Sequence, residues 1–185
     1  MTPLSIFAII AVVIILGIIS FYNGLIRART HVTEAWADID IQLKRRSDLI
    51  PNLVETVKGY KAHEAGTLEK VTAARAAALQ AATMAERGIA EAALGNSLSG
   101  LFAVAESYPD LKASTNFVEL QRELADTENK VQAARRFYNG LVRDYNIKQT
   151  VFPTNLIAGP LGFHQAEFFE LDATASREPV AVSFT

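Results

Sequence analysis

Three histidines, each with a glutamate nearby, are the residues of this chain with the character of metal ligands. Glu34 follows His31 by three positions, Glu64 is adjacent to His63, and Glu167 follows His164 by three. A di-metal carboxylate centre in a four-helix bundle takes two Glu-x-x-His pairs plus further glutamates, all projecting inward. Here the order is reversed at His31, the spacing fails at His63, and His164 lies in a stretch without a helical pattern. No metal and no cofactor is assigned, and His63 reads as an exposed cation near a helix end.

Other chemistries fare no better. With no cysteine, a thiolate nucleophile, Cys-ligated zinc and disulfides are excluded. The sequence has no G-x-S-x-G, no P-loop and no G-x-G-x-x-G, which removes the usual nucleophile turn and phosphate cradles. Asp38 with Asp40, and Asp126 with Glu128, are two residues apart, so on a helix they point to different sides and cannot share a proton. The reading is therefore a non-enzymatic protein. Its 18 cations and 20 anions leave a net charge of -2, without the basic field that draws proteins to nucleic acid.

The charges have a better use between helices. EAWADIDIQLKRR, from Glu34 to Arg46, sets carboxylates and cations around an apolar skeleton. Glu34, Asp38, Lys44 and Arg46 on this stretch, with Glu128 and Arg135 on a later one, are read as interhelical charges that set register between antiparallel helices. Arg46 differs from the rest, because its seam position would bury part of it unless a carboxylate meets it.

The elements that carry these residues follow from periodicity. Leu4 to Phe21, LSIFAIIAVVIILGIISF, has no charge, and the first cation is Arg27. A helix of about 20 apolar residues spans a bilayer core of about 30 Å. Leu4, Ile9, Ile14, Ile18 and Phe21 are assigned to the anchor, with Tyr22 as an interfacial aromatic. A cleaved secretory signal would carry cations before the apolar run and small residues at a cleavage point, and neither is present. Arg27 and Arg29 follow the span, which places the N-terminus outside and the body in the cytoplasm.

Beyond the anchor, Val32, Trp36, Ile39, Leu43, Ile50, Leu53, Val57 and Tyr60 step by three and four, the pattern of a helix packed lengthwise against others. Pro51 predicts a bend near Ser47, and Gly59 with HEAG at His63 an end. Alanine-rich helices are expected over Leu68–Ala82 and Ile89–Ser107, the second packing through Leu94, Leu98, Leu101, Phe102 and Ala105. A last helix carries Phe117, Leu120, Leu124, Thr127, Val131, Ala134, Tyr138, Leu141 and Tyr145. Asn116 is its expected cap, and it reaches about Thr150. YNGLIR at Tyr22–Arg27 recurs as YNGLVR at Tyr138–Arg143.

The segment VFPTNLIAGPLGFHQAEFFEL combines two prolines, two glycines and several phenylalanines. Phe152, Leu156, Ile157, Phe163, Phe168 and Phe169 lie outside the heptad seams, and they are read as an interaction surface for a neighbouring subunit or the headgroup region. The fold class is all-α: an anchor (1–26), an antiparallel bundle of about four helices with an irregular C-terminal segment (27–170), and an extended or disordered tail (171–185).

EAWADIDIQLKRRSDLIPNLVETVKGY, LFAVAESYPDLKAS, NFVELQRELADTENKVQAARRFYN and FPTNLIA, in this order, resemble the LemA family of bacterial membrane proteins. The resemblance runs from Tyr22 to Leu171 and is weakest between Val71 and Glu91. It implies a single N-terminal membrane helix, an elongated helical bundle and no established catalytic activity. It also implies a connection with bacterial membrane organisation and, in a magnetosome-associated branch, membrane remodelling. The expectation is a single-pass protein of the bacterial inner membrane that self-assembles and organises the bilayer, with other membrane proteins as further partners. The alternative is a monomeric adaptor docking one specific protein.

Overall fold

The computed structural model describes residues 3–60 and 65–170. His63 and the tail 171–185 lie outside the described residues, and so do the expectations placed on them. Within the described residues all regular structure is helical: α1 (Pro3–Tyr60), α2 (Ala65–Gln80), α3 (Met84–Ala105), α4 (Pro109–Lys112), α5 (Thr115–Thr150) and α6 (Asn155–Ala158).

Helix α1 continues through Pro51 without interruption. Proline lacks the N–H that would bond the Ser47 carbonyl one turn earlier. The Arg75 Nε of α2 takes its place, donating to the Ser47 oxygen at 2.8 Å. The position expected to bend α1 thus supplies an acceptor for its neighbour.

The junction after α2 is set by Thr83. Its hydroxyl accepts from the Glu86 N–H, and the Glu86 carboxylate accepts from the Thr83 N–H, a reciprocal capping box that starts α3 ahead of the expected Ile89. These backbone donors hold the Glu86 carboxyl below its usual value. Asn116 is not a cap, because α5 already includes Thr115.

The chain divides into two compact units. The first gathers α1 up to Asp40 with Gln132–Phe168. Leu25, Val32, Ala35 and Ile39 are buried on α1, as are Tyr138, Val142 and Tyr145 on α5. The Trp36 and Tyr138 rings meet at 5.6 Å. The segment after α6 lies along α5 and is tied by side chains. Tyr138 Oη donates to the Glu167 carbonyl at 2.9 Å, and Asn146 both donates to the Ala166 carbonyl and accepts from its N–H. Burial raises the Tyr138 phenol, which stays a donor.

The second unit holds Ile41–Val131 with Phe169 and Glu170 among the described residues. Its core joins Ile50, Leu53 and Val57 of α1, Val71 and Ala78 of α2, Leu94, Leu98, Leu101 and Ala105 of α3, and Phe117 and Leu124 of α5. Phe102 and Phe117 pack edge to face at 6.1 Å. Phe169 is fully buried, and its ring approaches Gly88. A Cβ there would strike the Glu170 carbonyl, so only glycine admits this crossing.

Candidate functional site

The apolar part of α1 stands free of the fold: none of its most hydrophobic window is buried. Leu4, Ile9, Ile14, Ile18, Phe21 and Tyr22 are all exposed. Helix α3 is also long and apolar enough to cross a membrane, but Leu94, Leu98 and Leu101 are spent in the core of its own unit. Tyr22, though exposed, also packs edge-on against Phe163 at 5.7 Å. Tyr138, its counterpart in the second YNGL copy, is buried against Trp36, so the two copies serve different environments.

The charges read as interhelical separate into two kinds. Arg46 is buried and bridges to Glu128 of α5 at 3.0 Å and to Glu91 of α3 at 3.7 Å. Arg87 approaches Glu91 one turn away at 3.5 Å. Glu34 instead faces His31, and Lys44 faces Asp48, each along the exposed surface of α1 itself. Exposed pairs three and four apart on one helix satisfy each other locally, so they set no register. Asp38 is exposed, and Arg135 is half-buried in the first unit.

Glu91 is the residue that the sequence reading passed over. It is buried, and burial holds its carboxyl above the usual value of 4.5 against the opposing pull of Arg46 and Arg87. A signal was available: Glu91 lies three positions before Leu94, on the same stripe as Leu98 and Leu101. A carboxylate on an apolar seam, with an arginine on another, marks a mutual requirement.

The C-terminal apolar residues also divide. Phe163 and Phe169 are interior, each in its own unit, the first packed on Tyr22 and the second beside Gly88. Both therefore leave the proposed interaction surface. Phe152, Leu156 and Phe168 are exposed, and Ile157 is half-buried. Phe168 borders a depression of about 370 Å³ lined by Arg135, Arg136, Asn139, Gly140 and Arg143.

Among the described residues no cluster of three or more His, Asp or Glu side chains has the arrangement of a metal site. His31 and His164 lie apart from any such group.

Comparison with known proteins identifies a family. A sequence model of the LemA family matches residues 35–184. Protein LemA of Metamycoplasma hominis is 27% identical over 170 residues, covering 89% of this chain and 78% of the relative. Magnetosome protein MamQ 2 of Paramagnetospirillum magneticum is 23% identical over 192 residues, covering 86% of this chain and 71% of the relative. Magnetosome protein MamQ of Magnetospirillum gryphiswaldense is 22% identical over 195 residues, covering 91% and 71%.

Proposed function

The chain belongs to the LemA family, and from that premise we propose that it is a non-enzymatic, single-pass protein of the bacterial inner membrane whose cytoplasmic helical bundle self-associates and organises the bilayer. The observation that carries this reading is the exposed stretch Leu4–Phe21, continuous with a packed bundle through one unbroken helix. Leaving so much aliphatic surface in water costs about 25 cal/mol per Å², and a bilayer removes the cost. The cations that follow the span, Arg27 and Arg29, favour a cytoplasmic body. Several relatives are magnetosome proteins by name, in keeping with a role at membranes.

Self-association draws on exposed apolar side chains of the bundle, Phe137 and Phe168 in the first unit and Ile41 and Val118 in the second. The adaptor reading draws on the arginine-lined depression beside Phe168, which suits an acidic partner. Alkaline carbonate washing of membranes is expected to leave the protein in the pellet, and release into the supernatant would sink the anchor. Sizing in mild detergent at micromolar concentration is expected to give an oligomer. A monomer would favour the adaptor.

A further inference from the structure

We propose that the loop 151–163 is a second membrane contact, seated beside the anchor in the same leaflet and selective for anionic phospholipid through Lys148 and Arg27. The proposal rests on the reading of Leu4–Phe21 as a spanning helix.

Three observations in the first unit support it. The loop is fixed at the depth where the span ends: Phe163 packs on Tyr22, Lys148 Nζ donates to the Gly24 carbonyl at 3.3 Å, and Val151 and Thr154 line a groove together with Ser20 and Phe21. A helix rises about 1.5 Å per residue, so these contacts fall within one turn of the last apolar residues of the anchor. At that depth the loop presents apolar side chains outward, with Phe152 at 79%, Leu156 at 64% and Leu161 at 45% exposure. Gly162, at a φ of 75°, makes the turn that returns the chain to Phe163 after these residues have been displayed.

The charge pattern matches. From Tyr145 to Ala166 there is no carboxylate, and the fixed cation is Lys148. The groove, about 860 Å³, carries Arg27 and Lys148 on opposite helices, and its one acidic side chain, Asp144, faces Arg143 at 3.5 Å. Aromatic and aliphatic side chains at the headgroup boundary, beside cations that meet phosphates, are how a protein lies on a membrane. A second copy of the chain would cover the apolar tips, but it would leave the two cations at the bilayer edge without their anions.

Because the chain has no cysteine, single-cysteine probes report without ambiguity. The full chain would be labelled with a polarity-sensitive fluorophore at Leu156→Cys, with Ile14→Cys reporting the anchor and Asp38→Cys, roughly 36 Å further along α1, reporting solvent. The labelled proteins would be placed in nanodiscs of phosphatidylcholine and phosphatidylglycerol with brominated acyl chains on one lipid at a time. Bromine is expected to quench the probes at Ile14 and Leu156 and to spare that at Asp38. At Leu156, brominated phosphatidylglycerol is expected to be enriched over phosphatidylcholine by about fivefold for each cation. Arg27→Gln, at an exposed residue whose Nε bonds within its own helix, is expected to lower the enrichment without unfolding the protein. Adding Lys148→Gln is expected to abolish it.

Quenching at Ile14 without quenching at Leu156 would overturn the loop contact and leave the anchor standing. No quenching at Ile14 would overturn both. Loss of the lipid preference on adding inorganic phosphate would show a site for free phosphate instead. Shielding of the Leu156 probe by another copy of the chain would likewise defeat the proposal.

Discussion

At Arg46 a cation holds a seam position that apolar side chains hold elsewhere on α1, and its two carboxylate partners come from α3 and α5. Removing one partner of a buried pair leaves the other charge uncompensated, which costs about 3–5 kcal/mol. Arg46→Ala is expected to fall in that range by chemical unfolding in detergent, whereas Glu91→Gln should cost far less, because Glu128 is the nearer partner. The sign of the pH dependence follows from Glu91. Its folded value is raised above 4.5 by burial, so folding takes up a proton. Its contribution is most favourable below pH 4.5 and is lost as pH rises through the raised value. The difference between the unfolding free energies of the native chain and of Glu91→Gln, measured across this range, should show that decline, since lowered carboxyls such as Glu86 contribute the opposite slope to both. A difference that rises instead would contradict the burial of the carboxyl.

Helices and their connections respond differently to substitution. Pro51 leaves the Ser47 carbonyl to Arg75, a bond to a charged donor of the kind worth about 1.5–3 kcal/mol. In Pro51→Ala the helix supplies its own N–H to that carbonyl. Arg75→Met should therefore destabilise the native background more than the Pro51→Ala background, and additive effects in a double-mutant cycle would dissociate the two residues. The C-terminal segment gives a second contrast. Phe169 is fully buried and Phe168 is half exposed. Phe169→Ala is expected to cost about 3–5 kcal/mol and Phe168→Ser little, with thermal melting by circular dichroism as the readout. Gly88→Ala, which drives a methyl into the Glu170 carbonyl, should lose about 1–3 kcal/mol through overpacking.

For the whole chain, the question is where the exposed apolar stretch of α1 stops and the folded part starts. Tyr22 already packs on Phe163, and Leu25 is fully buried. A truncation that begins at Arg27 therefore removes core as well as the exposed apolar stretch. Compared with one beginning at Tyr22, it is expected to be less stable by about 2–5 kcal/mol, the usual cost of deleting a buried leucine. Equal melting temperatures for the two would place the start of the fold after Arg27.

Local pattern was enough for the helices and the seam residues, because burial on a helix repeats every three to four positions, and it marked the long apolar stretch of α1 that stands unburied. Leu43, Leu53, Leu98 and Val131 could be assigned to the core from spacing alone, and Arg46 could be recognised as a charge in need of a partner. The choice of partner could not be read this way. Glu91 and Glu128 reach Arg46 across long stretches of sequence, and only the packing of α3 and α5 against α1 decides which carboxylates arrive. The phenylalanines show the same limit. An irregular segment has no period to assign its faces: only the tertiary packing sets Phe163 against Tyr22 and Phe169 beside Gly88 while Phe152 and Phe168 remain outside.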